Sequence, residues 1–174
     1  WDIGLETGHS VRTLEQCLEE AADDITVQTS MIEARLLAGS VSLFRGFWSL
    51  LRGSLDGQAF FQTKRMEQGD RHQRFSDTPF SLEANCKDGP GGLRDLQLIL
   101  WIAQAANYGQ CWHDLEQRGF ITGEEQQLLE ECEAFLCRLR VHLHLHAGRR
   151  EDRLLFEYQT ALAEQLGFTA TDAR

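Results

Sequence analysis

Proline, paired cysteines and long apolar runs are the features that this sequence has least of. Its 174 residues include only two prolines, so little in the chain interrupts helices. No segment approaches the roughly 18 uninterrupted apolar residues that a membrane-spanning helix needs, and we therefore expect no membrane partner. The cysteines are Cys17, Cys86, Cys111, Cys132 and Cys137. They include no Cys-x-x-Cys pair and leave an odd count, which argues against a disulfide scaffold or a zinc ribbon and favours the reducing cytoplasm.

An excess of positive charge is also missing, because the formal net charge is −10. This charge excludes general nucleic-acid binding through a basic surface as a function class. The basic residues are nevertheless concentrated in one part of the chain, namely Lys64, Arg65, Arg71, Arg74, Lys87 and Arg94. A basic face on an acidic protein suits a small anionic ligand, although scattered, solvated charges would give the same composition.

Helical periodicity dominates the chain, and no hairpin signal interrupts it. We therefore expect a mainly α fold, a helical bundle. Because residues 1–7 alternate in polarity, we expect a short strand before this bundle. We assign residues 1–12 to this terminal strand and residues 13–174 to a helical domain. The predicted helices cover roughly 13–22, 24–39, 40–53, 58–75, 92–107, 111–118, 123–147 and 153–166. Residues 76–91 form a long irregular connection, and loops of that length are often functional.

A glycine-rich turn at residues 89–92 ends this connection. Glycine carries no Cβ, so the backbone there can turn sharply and approach a ligand closely. A helix follows at once, and helix N-termini present unpaired N–H groups that suit phosphate. Lys87 and Arg94 flank the turn and could add charge-assisted hydrogen bonds to the same anion. The alternative is a tight connection whose two cations are only solvated.

A polar stripe precedes the turn on the predicted helix at 58–75. Lys64, Gln68, Arg71 and Phe75 are spaced so that they share one helix face. Gly69 interrupts the helix at a penalty of about 1 kcal/mol relative to alanine. Such a stripe could line a triphosphate pocket or face water.

Three histidines at residues 142–146 suggest a metal site only at first sight. His142 and His146 share a helix face, whereas His144 points elsewhere. A zinc site needs a further ligand, and no His-Glu-x-x-His pattern is present. We therefore interpret these histidines as packed or partly exposed helix residues.

The segment from Lys87 to Asp95 resembles the Lys-x-Gly-Pro-Gly-Gly-Leu-Arg-Asp signature of bacterial PII-protein uridylyltransferases, the bifunctional uridylyltransferase/uridylyl-removing enzymes. Residues 1–13, 29–39 and 149–159 resemble other segments of that family in the same order. The helix around Lys64 is similar to the family's Lys-x-x-x-Gln-x-x-Arg-His helix.

This resemblance implies the helical substrate-binding part of a UTP-dependent enzyme that modifies the nitrogen-signalling protein PII. In that family a tyrosine hydroxyl of PII attacks the α-phosphate of UTP, with Mg²⁺ held by carboxylates. Asp2 matches the third carboxylate of the polymerase β-like site, which would make it a catalytic residue and a metal ligand, unless it is simply solvent-facing on an edge strand. The residues that the resemblance implies for nucleotide binding are Lys64, Arg71, Lys87, Gly91, Gly92, Arg94 and Asp95.

Several motifs of these enzymes do not occur in the sequence. It holds no Gly-Gly-x-Gly-Arg loop followed by Ser-Asp-x-Asp, no His-Asp phosphohydrolase motif and no glutamine-sensing ACT modules. We therefore expect an internal fragment that is inactive alone, with glutamine acting through domains absent here. Two alternatives remain open. One is a helical interaction or linker module without a nucleotide site. The other is the glutamine synthetase adenylyltransferase family, which shares a related Gly-Gly-(Leu/Ile)-Arg-Asp turn.

Overall fold

A computed structural model describes residues 8–75 and 81–168 of the chain. Its helices are α1 (Leu14–Asp23), α2 (Ile25–Ile32), α3 (Val41–Ser54), α4 (Gly57–Gln73), α5 (Leu93–Ala105), α6 (Trp112–Gln117), α7 (Gly123–Ala147) and α8 (Phe156–Gln165). The prediction of a mainly helical fold is therefore confirmed. The predicted strand at residues 1–7, including Asp2, lies outside the described residues. Within the described ranges, no helix combines the length and the apolar character that crossing a membrane requires.

The chain divides into two compact units, Trp1–Leu55 and Asp56–Arg174. In the first unit, α1 to α3 surround a small core formed by Ala21, Met31 and Leu51. Thr13 begins α1 as predicted, because its side chain accepts a hydrogen bond from the backbone of Gln16 and the Gln16 side chain returns one.

The second unit contains α4 to α8 and the glycine-rich turn. Leu139 and Leu143 of α7 pack with Leu162 of α8 and with Cys86, which immediately precedes the turn. A separate cluster joins α5 to α6 through Ala103 and Trp112. The segment that leads into the turn therefore packs against α7, the longest helix of the unit. Helix α5, which follows the turn, packs on α4, α6 and α7.

Two helix boundaries differ from the prediction. The helix predicted to end at Gly39 ends at Ile32, and the next residues form turns and bends. Leu37, in the predicted but unformed part of this helix, is 82% exposed. It therefore provides none of the packing that stabilises short helices.

The last predicted helix also begins later, at Phe156 instead of residue 153. Residues 152–154 are extended because their backbone pairs with residues 84–86. The Cys86 N–H donates to the Asp152 carbonyl, and the Leu154 N–H donates to the Ala84 carbonyl, both at 2.9 Å. Arg153 forms an antiparallel bridge with Asn85, the only β-type pairing in the described ranges.

Candidate functional site

The glycine-rich turn is folded by its own side chains and backbone. Asn85 Oδ1 accepts hydrogen bonds from the backbone N–H groups of Lys87 at 3.0 Å and Asp88 at 2.7 Å. This local bonding reverses the chain before the glycines are reached. Asn85 is thus a structural determinant of the turn that the sequence pattern did not single out.

Two of the glycines are required for different reasons. Gly91 has a φ of +74°, a left-handed conformation that other residues adopt only with strain. A Cβ on Gly92 would lie 2.8 Å from the Lys87 carbonyl oxygen and 2.9 Å from that of Gly89. Both neighbours are backbone atoms, so the turn would have to open to admit a side chain.

The N–H groups of the turn and of the first residues of α5 donate within the chain. Gly91 donates to Asp95 Oδ2, Gly92 to the Gly89 carbonyl, Leu93 to the Cys86 carbonyl, Arg94 to the Lys87 carbonyl, and Asp95 to the Gly92 carbonyl. The distances lie between 2.8 and 3.0 Å. A phosphate would therefore have to displace an internal acceptor to bind these amides, whereas side chains could bind it without that penalty.

Asp95 connects the polar stripe of α4 to the turn. Its carboxylate accepts hydrogen bonds from Gln68 at 3.0 Å and Arg71 at 2.6 Å, and it lies 3.0 Å from His72 Nε2. Its Oδ2 also accepts a hydrogen bond from the Gly91 N–H at 2.8 Å. Burial acts to raise the pKa of Asp95, but these hydrogen bonds outweigh burial and hold the pKa below the ordinary value for aspartate. The site therefore contains a charged carboxylate at neutral pH.

Arg71 and Arg94 approach the turn from α4 and α5. Arg71 donates a second hydrogen bond to the Asp88 carbonyl at 2.7 Å. The Arg94 guanidinium lies 3.6 Å from the Asp88 carboxylate, and its side chain is 30% exposed. Of these two cations, Arg94 is the more accessible to a ligand.

Lys64 of α4 is buried near Trp101 of α5. Its side chain is only 3% exposed, and its ammonium lies 2.7 Å from the Glu67 carboxylate. The ammonium also lies 5.0 Å from the centre of the Trp101 ring, and the Arg94 guanidinium lies 5.2 Å from that ring. Trp101 thus contacts cations from both the stripe and the turn. No motif in the sequence indicated this arrangement.

A second carboxylate, Asp152, lies near Lys87, which precedes the turn. Its Oδ1 accepts a hydrogen bond from Arg140 Nε at 2.8 Å and lies 3.2 Å from His144 Nε2. Its Oδ2 is 4.0 Å from the Lys87 ammonium. Burial acts to raise the pKa of Asp152, but the hydrogen bonds from α7 and the nearby positive charges hold it below the ordinary value.

The predicted site residues consequently form two adjoining groups. Gln68 and Arg71 of the α4 stripe and Gly91 all bond Asp95. Lys64 and Arg94 lie against Trp101, whereas Lys87 lies near Asp152. Asp152 and Arg140 were not singled out as site residues, although Asp152 lies in the family-like segment at 149–159. In the described ranges, no group of three or more His, Cys, Asp or Glu residues is placed to hold a metal ion.

Comparisons with known proteins point to one family. The model of the GlnD PII-uridylyltransferase family matches residues 59–174. Bifunctional uridylyltransferase/uridylyl-removing enzymes of Burkholderia mallei (strain SAVP1), Burkholderia pseudomallei (strain 668) and Burkholderia thailandensis are each 54% identical over all 174 residues. The chain spans about a fifth of the length of these curated relatives, 20% in each case. No solved structure matches it. Since the family model covers most of the chain and includes the α4 stripe, the glycine turn and Asp152, this protein belongs to the PII-uridylyltransferase family.

Proposed function

We propose that this chain is the helical nucleotide-binding part of a UTP-dependent uridylyltransferase that modifies PII. Family membership and the activity for which the matched relatives are named support the reaction class. The parent enzyme would work in the cytoplasm and respond to glutamine through domains outside this chain. The matched relatives are uridylyltransferases, which favours this family over the glutamine synthetase adenylyltransferases.

One observation carries the proposal: the basic side chains of α4 and α5 converge beside the glycine turn. Arg71 and Arg94 both contact Asp88, and Lys64 and Arg94 share Trp101. Cations held this closely by an ordered scaffold suit a triphosphate, since their positions are set before the ligand arrives.

We assign each residue a role according to the exposure of its side chain. Arg94 and Lys87 would contact the phosphates through their side chains, because the amides of the turn already have acceptors. The buried Lys64, together with Arg71 and Asp95, would fix the helix that presents Arg94. Gly91 and Gly92 would allow the backbone to come close to the nucleotide.

Magnesium belongs to the proposal only for the intact enzyme. The described residues do not form a site that fits a divalent ion, and Asp2, the proposed third carboxylate, lies outside them. What this chain supplies in the proposal is binding and orientation of UTP, so that the PII hydroxyl can reach the α-phosphate.

The test is to neutralise the two accessible cations in the full-length enzyme. Lys87→Met and Arg94→Gln should each lower transferase kcat/KM for UTP by about ten- to a hundredfold, because each removes a charge-assisted hydrogen bond. The uridylyl-removing activity should change little. Arg65→Gln is a matched control, since Arg65 is an exposed cation of the same helix, α4.

Equal losses of both activities, together with a lower Tm, would contradict the proposal. They would instead support the second candidate, a helical module that holds the parent enzyme together or docks a partner. The internally satisfied amides at residues 91–95 favour that candidate. Calorimetric titration with UTP separates the two, because only the nucleotide site predicts weaker UTP binding by Arg94→Gln.

The isolated chain should not transfer UMP to PII, because the sequence lacks the Asp-x-Asp motif that the family uses for catalysis. Purified chain, PII, radiolabelled UTP and magnesium should give no labelled PII, while full-length enzyme in a parallel reaction labels it. Incorporation above the level without enzyme would show that the catalytic groups are present here.

A further inference from the structure

Asp152 is held in place from two directions. Its backbone belongs to the extended segment that pairs with residues 84–86, and its carbonyl accepts both the N–H of Cys86 at 2.9 Å and the Cys86 thiol at 3.2 Å. Burial raises the pKa of that thiol to about 11, so it remains a neutral donor. The Asp152 side chain is only 9% exposed.

The carboxylate of Asp152 uses its two oxygens differently. Oδ1 faces Arg140 and His144, which are one turn apart on α7. Oδ2 faces the Lys87 ammonium at 4.0 Å and the exposed Arg150 guanidinium at 3.8 Å. The contacts from α7 fix the orientation of the carboxylate and leave Oδ2 directed at the turn.

The distance of 4.0 Å to Lys87 has a functional consequence. It is too long for a hydrogen bond, so the attraction orients the ammonium without occupying its N–H donors. The Lys87 side chain is 15% exposed, which restricts its motion but leaves a route to a ligand. A lysine arranged in this way loses little conformational freedom when it binds an anion.

We propose that Asp152 is a positioning residue of the transferase, whose carboxylate holds Lys87 in the orientation that contacts the phosphates of UTP. This inference rests on the proposed function, because it gives Lys87 that role. Asp152 does not itself touch the nucleotide. It acts by linking α7 to the turn and by directing the Lys87 ammonium.

The experiment is a double-mutant cycle in the full-length enzyme, with Asp152→Asn and Lys87→Met singly and together. Asp152→Asn retains the size of the side chain but removes its charge. It should raise KM for UTP about tenfold with a smaller change in kcat, and the same substitution should have little further effect in the Lys87→Met enzyme. Glu151→Gln is the matched control, since this neighbouring carboxylate pairs with Arg149, and it should leave KM unchanged.

A second variant separates positioning from general folding. Asp152→Glu restores the negative charge, so it should recover most of the KM that Asp152→Asn loses, even if both variants lower Tm. Equal KM values for the two variants would overturn the inference. So would independent, multiplicative losses in the double-mutant cycle.

The failure of this inference and that of the proposed function give different results. If Lys87→Met has unchanged kinetics, Lys87 does not serve UTP, and both the role of Lys87 and that of Asp152 are overturned. If Lys87→Met loses activity and Asp152→Asn does not, the nucleotide role of Lys87 stands and only the positioning by Asp152 is overturned.

Discussion

Two aspartates connect the region of the glycine turn to two different helices. Asp95 connects it to α4, and Asp152 connects it to α7. Burying a carboxylate is unfavourable unless it is paired and hydrogen-bonded. Both residues meet this condition with an arginine and further polar groups, so each remains charged while fixing one end of the turn.

At the residue scale, the two glycines should respond differently to alanine. A methyl group at Gly91 would contact no other atoms, so the only penalty of Gly91→Ala is that alanine must adopt a left-handed backbone conformation. This should lower the free energy of unfolding by about 1–2 kcal/mol. Gly92→Ala drives a methyl group against two backbone carbonyl oxygens and should lower it by about 3 kcal/mol or more. Urea unfolding of both variants checks this order. A Gly92→Ala variant as stable as wild type would show that the turn can open.

At the scale of the elements, helix ends are set by short-range bonds and by pairing between distant segments. Asp56 begins α4 by accepting hydrogen bonds from the N–H groups of Gln58 and Ala59 at 2.9 and 3.0 Å. The start of α8 is instead set by the pairing of residues 152–154 with residues 84–86. Local signals therefore fix the first kind of boundary, and the packing of the unit fixes the second.

The cap of α4 gives a direct test. Asp56→Ala leaves two N–H groups without their acceptor and should lower the free energy of unfolding by about 1 kcal/mol. Asp70→Ala is the control, since Asp70 is an exposed aspartate inside the same helix. Thermal unfolding followed by circular dichroism should show a lower Tm for the first variant alone. A loss of the same size in both would attribute the effect to charge.

At the scale of the whole molecule, the residues that the family model matches are nearly the same as those of the second compact unit. The family model covers residues 59–174, and the second unit is Asp56–Arg174. Both carboxylates that hold the turn lie in this unit. Its response to acid should therefore report on the integrity of the site.

Acid should destabilise the second unit through these carboxylates. The pKa values of Asp95 and Asp152 are lowered in the folded chain, so their stabilisation is complete above the ordinary aspartate pKa of about 3.9 and is lost as pH falls toward the lowered values. In that range the unfolded chain binds more protons than the folded chain. Unfolding by urea at pH 7 and at pH 3 measures the loss.

The variant Asp95→Asn tests the origin of this acid dependence. It should be less stable by about 1.5–3 kcal/mol at pH 7, because it loses charge-assisted hydrogen bonds. Its stability should then fall less steeply than that of wild type as the pH drops from about 4 to about 3. Parallel curves for the two proteins would assign the acid dependence to other groups, such as Asp114 and Glu125, whose pKa values are lowered by backbone hydrogen bonds at helix caps.

The helical class, the cap at Thr13, the long α7 and the glycine turn could all be read from the sequence, because each depends on neighbours within a few positions along the chain. The family could be read for a related reason, since its signature is a contiguous motif. The early end of α2 and the late start of α8 could not. The end of α2 depends on whether the apolar residues that follow it are packed against other residues. The start of α8 depends on pairing between segments about 70 residues apart. Asp95 has its partners on α4, 23 to 27 residues earlier in the chain, and Asp152 lies near Lys87 from a segment far along the chain. Only the tertiary structure therefore decided that Lys87 faces Asp152 while Arg94 faces Asp88.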